Sequence, residues 1–142
     1  MKTLKQEPRV YNYHPKTKEE LRAIITGRIK NEGNECDLND IDVSEIDDMS
    51  ELFYYPPLDR FNGDISNWDV SNVKDMSLMF ADSPFNGDIS KWNVSNVKDM
   101  RYMFACSDFN VDISKWNVSN VSDMRDMFYK SPLEKNPPKW YK

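Results

Sequence analysis

Catalysis needs a base, a nucleophile or a metal held in mutual reach, and the residues here that could supply one are few. His14 is the single histidine. It sits in a polar lead with no serine or cysteine context and reads as an exposed loop residue. Cys36 and Cys106 are the two cysteines and stand in unrelated contexts without a CxxC pairing. Neither a structural zinc site nor a disulfide framework is expected from them. Four glycines in all do not make a glycine-rich phosphate loop. The carboxylates are more suggestive, because Asp64, Asp88 and Asp112 each stand in an Asp-Ile-Ser context and recur every 24 residues. Some parallel coils bind calcium through repeated Asp and Gly. One carboxylate per turn is nevertheless too sparse for the roughly six or more oxygens that calcium takes. No catalytic residue, cofactor or metal is therefore expected, and the chain reads as non-enzymatic.

The aspartates belong to a longer recurrence. FNGDISNWDVSNVKDM begins at Phe61, FNGDISKWNVSNVKDM at Phe85 and FNVDISKWNVSNVSDM at Phe109. Adjacent copies, taken as 61–84, 85–108 and 109–132, agree at 18 of 24 positions in each comparison. Such a period marks a stacked repeat architecture, in which each unit buries its apolar face only against its neighbours. A degenerate copy precedes them over 38–60: Leu38, Ile41, Val43, Ile46, Met49, Leu52 and Phe53 match Ile65, Trp68, Val70, Val73, Met76, Met79 and Phe80 in spacing. A closing half-turn follows over 133–142, with Leu133 and Trp140 in the Phe85 and Trp92 positions. There Pro137 and Pro138 remove amide donors that a further strand would need.

Within a copy, Gly63-Asp64-Ile65-Ser66 is the expected strand. Val73, Met76, Met79 and Phe80 have helical spacing after Ser71 and Asn72, either of which can cap. The expected fold class is thus an α/β solenoid, a leucine-rich-repeat-like right-handed coil of 24-residue strand-turn-helix repeats with an N-terminal capping helix. The polar lead and that helix occupy 1–37. Thr17 is its N-cap with Glu20 closing a capping box, Leu21, Ile24, Ile25 and Ile29 form its apolar stripe, and Gly33 ends it. The columns Asn62/Asn86/Asn110, Asp64/Asp88/Asp112 and Asn72/Asn96/Asn120 are expected to be structural, satisfying backbone groups at tight corners. Trp68, Trp92 and Trp116 are expected in the core.

The chain has 142 residues and a net charge of −5, with 39% apolar and 13% aromatic residues. That composition suits one domain with a thin core. Residues 1–30 carry eight Lys or Arg against three acids, and residues 31–142 carry eleven against twenty-one, so the repeats are acidic. A basic face for nonspecific nucleic-acid binding is absent from them, and nucleic acid is not the expected partner. No segment approaches transmembrane length and no signal-peptide core stands near Met1. The sequence as given is expected to be cytoplasmic.

The pattern F-N-x-D-I-S-x-W-[DN]-V-S-N-V-x-D-M-x-x-M-F resembles the repeat of BspA-like bacterial surface proteins, a leucine-rich-repeat-like family that includes mycoplasmal surface lipoproteins. The resemblance covers roughly 37–127. It implies a solenoid that binds proteins, often at a cell surface, with no enzymatic activity. The sequence as given is expected to depart from the pattern in showing no secretion signal or lipoprotein cysteine near its start and in having only about four turns.

Function is then expected in the columns where the copies disagree: Asn67/Lys91/Lys115, Asp69/Asn93/Asn117, Ser77/Arg101/Arg125 and Leu78/Tyr102/Asp126. On a helix, Leu78 and Tyr102 would lie about 200° around from Met76 and face away from the core. Tyr and Arg are enriched at binding hot spots, so Leu78, Arg101, Tyr102 and Arg125 form one candidate contact surface for another protein. Lys91 and Lys115 are further candidates, and the insert carrying Tyr54, Tyr55, Pro56 and Pro57 is another. The chain is expected to be a monomer when free and to act sterically as a rigid protein-binding module. The alternatives are a small intracellular inhibitor of an enzyme or nucleic-acid-binding protein, encoded by a phage or mobile element, and a fragment of a surface adhesin.

Overall fold

The computed structural model describes residues 10–142; the first nine positions of the N-terminal lead lie outside the described residues. Helix α1, Lys18–Glu32, starts where the capping residues place it. The Thr17 hydroxyl accepts from the Glu20 N–H at 3.1 Å. The Glu20 carboxylate accepts from the Lys16 N–H at 2.9 Å, so the reciprocal bond lands one residue earlier than a standard capping box would put it. Gly33 terminates the helix at φ 91°, its N–H donating to the Ile29 carbonyl, a backbone conformation that glycine adopts without steric cost. Leu21 and Ile25 are fully buried, with Ile24 and Ile29 packed beside them.

The expected α/β solenoid of strand-turn-helix repeats is overturned. α1 is the only α-helix among the described residues, accompanied by two three-residue 3-10 turns, Leu58–Arg60 and Pro132–Glu134. Strand pairing is reduced to isolated single-residue bridges. Where a helix was expected after Asn72, and a strand over Gly63–Ser66, the chain makes a succession of β-turns. Trp68 N–H donates to the Ile65 carbonyl at 3.1 Å, Val73 to Val70 at 3.0 Å, Met79 to Met76 at 3.2 Å and Ser83 to Phe80 at 3.2 Å, and the later copies repeat the first three.

The physical reason for the misreading is that a β-turn with inward-facing first and fourth residues also spaces apolar side chains three apart. Two facts exclude the helix. Leu78 has φ 54° and Asp82 φ 56°, outside the right-handed helical region. The N–H groups of Leu78 and Phe80 donate at 3.0 and 2.9 Å to the carbonyls of Arg101 and Met103 in the following copy, so they are not available to an acceptor four residues back.

Successive copies nevertheless stand in register. Parallel bridges run from Asp48 to Asp75, Asp99 and Asp123. Phe53, Phe80, Phe104 and Phe128 stack with centroids 5.4, 5.6 and 5.9 Å apart, and Phe61, Phe85 and Phe109 form a second buried column. Trp68 and Trp92 stack at 6.4 Å, as do Trp116 and Trp140. Each indole N–H is satisfied by a carbonyl of an earlier copy: Trp68 by Leu38, Trp92 by Ile65, Trp116 by Ile89 and Trp140 by Ile113, at 2.9 to 3.1 Å. Trp68, Trp92 and Trp116 are only 4–5% exposed, so these tryptophans are core. The coils approach closely at Gly63, where a Cβ would lie 2.0 Å from the Cys36 carbonyl oxygen.

The polar columns divide into two kinds of work. Asn62 and Asn86 accept through Oδ1 from the N–H of Asn86 and Asn110 at 3.0 and 2.8 Å. Asn72, Asn96 and Asn120 donate to the carbonyls of Ser44, Ser71 and Ser95 at 2.6 to 2.7 Å. These are ladders between copies. Asp64, Asp88 and Asp112 act locally, each accepting from the N–H of the serine two residues on. In Asp64 and Asp88 the serine hydroxyl adds a 2.6 Å bond.

Candidate functional site

The outward corner of each copy is the turn from Met76 to Met79 and its equivalents. Its geometry follows from the preceding aspartate: Asp75, Asp99 and Asp123 accept from the N–H of Ser77, Arg101 and Arg125 at 2.9 to 3.2 Å. The third residue of the turn then takes positive φ, 54° at Leu78, 56° at Tyr102 and 51° at Asp126, with Glu51 at 61° in the degenerate copy. That conformation costs a non-glycine residue about 1–2 kcal/mol and is held here from both sides. Tyr102 donates its N–H to the Arg125 carbonyl at 3.0 Å, and its own carbonyl accepts from Ala105 at 3.2 Å. Leu78 and Tyr102 face outward because of this turn, and the helical rotation argued from spacing does not apply. Leu78 is half-buried and Tyr102 is 39% exposed.

The two arginines of this corner fold back on their own turns. Arg101 Nε lies 3.3 Å from Asp99, and Arg125 Nη2 lies 2.9 Å from Asp123. The hydrogen bond from Arg125 holds the Asp123 carboxyl below the usual carboxylate range, and the same contact raises the Arg125 guanidinium. The heads are thus positioned by their own turns while remaining exposed to solvent.

One turn further along, the column Tyr54, Ala81, Ala105, Tyr129 places tyrosines on the outer copies and alanines between them. Tyr54 and Tyr55 meet edge to face at 4.9 Å. Tyr55 is 50% exposed and Tyr129 44%. Hydrogen bonding to Glu51 raises the Tyr55 phenol. Tyr129 was missed in the sequence, although its disagreement with Ala81 and Ala105 was visible between copies.

Lys91 and Lys115 do not join this surface. They lie in the turns that close at Trp92 and Trp116 and line a small hollow with Ser90, Asp112 and Ser114. A cleft of about 410 Å³ opens elsewhere, between 110–114 and the closing half-turn at Asn136–Lys139. Its Asp112 carboxylate is already engaged by the Ser114 N–H at 2.9 Å, and no cluster of charge converges on it. Cys106 is exposed and Cys36 buried; burial pushes the Cys36 thiol up. Among the described residues, no group of three or more His, Cys, Asp or Glu could hold a metal, and no helix is long and apolar enough to cross a membrane.

A family model described as "Mycoplasma protein of unknown function, DUF285" matches residues 24–140. No curated protein and no solved structure matches the chain.

Proposed function

The chain belongs to the DUF285 family, and we infer that it is a non-catalytic module that binds another protein through the corner face carrying Leu78, Arg101, Tyr102 and Arg125, flanked by Tyr54, Tyr55 and Tyr129. The observation that carries this reading is the coincidence, on one corner of the stack, of exposed tyrosine and arginine in adjacent columns with a repeated positive-φ backbone at Leu78, Tyr102 and Asp126. Strained backbone held in place by its surroundings clusters at ligand clamps, and Tyr and Arg dominate binding hot spots. The resemblance of the repeat to BspA-like protein-binding repeats supports it further. A wall of bonded turns loses little freedom on binding, which favours affinity at a given contact area. The test is affinity capture from the native cell with the wild-type chain, Arg101→Glu with Arg125→Glu, and Tyr102→Ala. Loss of a wild-type partner in both variants, with folding intact, supports the site. Undiminished recovery of that partner refutes it.

A further inference from the structure

Two of the chain's four glycines follow an asparagine, in Asn62-Gly63 and Asn86-Gly87, and the third copy has Asn110-Val111 at the same place. All three asparagines are exposed. An Asn side chain lies within reach of the next backbone nitrogen, which can close a five-membered imide on Cγ once rotation of the main chain brings the two together. A following glycine neither crowds that nitrogen nor restricts the rotation. A branched residue such as Val111 does both.

The two pairs share the local sequence Phe-Asn-Gly-Asp-Ile-Ser, yet the stack holds them differently. Their side-chain amides are held alike, each Oδ1 accepting one N–H from the next copy at 3.0 and 2.8 Å. The main chain is not. On either side of Gly63 the N–H groups bond to the preceding coil, Asn62 to the Asn34 carbonyl at 2.8 Å and Asp64 to the Cys36 carbonyl at 3.1 Å. On either side of Gly87, Asn86 donates only to a side chain, Asn62 Oδ1 at 3.0 Å, and the Asp88 N–H meets no acceptor among the described residues. The space differs in the same direction. The Cys36 carbonyl oxygen would lie 2.0 Å from a Cβ on Gly63, whereas the nearest backbone atom to one on Gly87, the Gly63 oxygen, would lie at 3.3 Å. Rotation at the Asn-Gly link therefore breaks two main-chain bonds at Gly63 and one bond to a side chain at Gly87.

We propose that Asn62-Gly63 and Asn86-Gly87 are sites of spontaneous deamidation, and that the stack gates them unequally, leaving Asn86 reactive in the folded chain and closing Asn62. The step needs only water and hydroxide. Hydroxide takes the Gly87 N–H proton, the nitrogen's electron pair forms a bond to Asn86 Cγ, the Cγ–Nδ2 bond breaks, and ammonia leaves with a proton from water. Water then adds to either imide carbonyl and the ring C–N bond breaks there, giving aspartate or isoaspartate; nothing is oxidised or reduced. Each event adds a negative charge, and the isoaspartate product inserts a methylene into the main chain of a coil that otherwise stands in register with its neighbours.

The test incubates the full chain in mildly alkaline buffer with and without urea, digests samples at intervals and follows amide-to-acid conversion in the peptides carrying Asn62, Asn86 and Asn110 by mass spectrometry. In urea, Asn62 and Asn86 should convert at the same rate and Asn110 at least ~10-fold more slowly, because Val111 crowds and stiffens its link. In the folded chain, Asn86 should convert at least ~10-fold faster than Asn62, because only Asn62 waits for two rung bonds to open. Val111→Gly should bring Asn110 to the Asn86 rate in urea, a readout that holds whether or not the variant folds. Equal or reversed rates at Asn62 and Asn86 in the folded chain, or no conversion of folded Asn86, would overturn the unequal gate. An Asn110 as reactive in urea as the two glycine-linked asparagines would overturn the sites themselves.

Discussion

The two ends of the stack are built on the same apolar columns and finish differently. At the first coil, Val43, Ile46 and Met49 are fully covered. α1 is seated over this end by Leu21 and Ile25 and pinned by cations: Arg22 donates to the Leu52 carbonyl at 2.8 Å, Lys18 to the Ser50 hydroxyl at 3.0 Å and Arg28 to Asp40 at 2.7 Å. At the last coil, Val118, Val121 and Met124 remain partly open. The difference teaches that burial in this architecture is a property of position in the stack. A residue type in a given column acquires its environment from whatever lies on the next rung.

The largest consequence concerns one substitution made in two places. Met100→Ala, inside the stack, should cost about 2–5 kcal/mol because it leaves a cavity that its neighbours cannot fill. Met124→Ala should cost on the order of 1 kcal/mol, since its site is already partly solvated. Urea unfolding of both variants measures the gap, and equal losses would dissolve the distinction between inner and outer coils.

A smaller effect of opposite sign is expected at the strained corner. Leu78→Gly relieves a positive-φ penalty of about 1–2 kcal/mol and adds about 0.5–1 kcal/mol of unfolded-chain entropy to be lost on folding. A net gain of about 0–1.5 kcal/mol is left, before the cost of removing a half-buried side chain. Denaturation should therefore show Leu78→Gly at or slightly above wild-type stability. A loss beyond 2 kcal/mol, on the scale of a buried leucine truncation (~2–5 kcal/mol), would mean that the turn conformation is not the one described.

The gentlest perturbation is acid, and it acts on the lidded end. At Asp42 the Ser44 hydroxyl leads in holding the carboxyl below the usual carboxylate range, with the Ser44 N–H and His14 adding to it against the opposing effect of burial. At Asp40 burial pushes up, but the hydrogen bonds from Arg28 and Asn12 together with the Arg28 charge outweigh it, and the carboxyl is again lowered. A carboxyl lowered in the folded state stabilises fully above its unfolded value, near 4, and that contribution is lost as pH falls through the folded value. Amide exchange followed from pH 5 downward should show α1 and the first coil loosening before the inner coils do.

Much of this arrangement was legible in the sequence. The period, the core columns and the Asn ladders could be read because identical residues recur in identical environments. α1 could be read from Thr17, its apolar stripe and Gly33. The turns could not, because Val70/Val73 and Met76/Met79 carry the same three-residue spacing whether they close a β-turn or line a helix. Positive φ usually announces itself through Gly or Asn, but Leu78, Tyr102 and Cys106 carry no such mark. The open strip at Val118–Met124 was hidden for a different reason. Its residues match those of the buried copies, and neither their types nor their spacing distinguishes it.

Amide exchange resolved by residue tests the account most directly. Met76, Leu78, Met100 and Tyr102 N–H groups, bonded to the next rung, should exchange at least ~100-fold more slowly than those of Met124 and Asp126, because local protection tracks the structure that must open. Equal protection at inner and outer positions would contradict the ladder and the open end together.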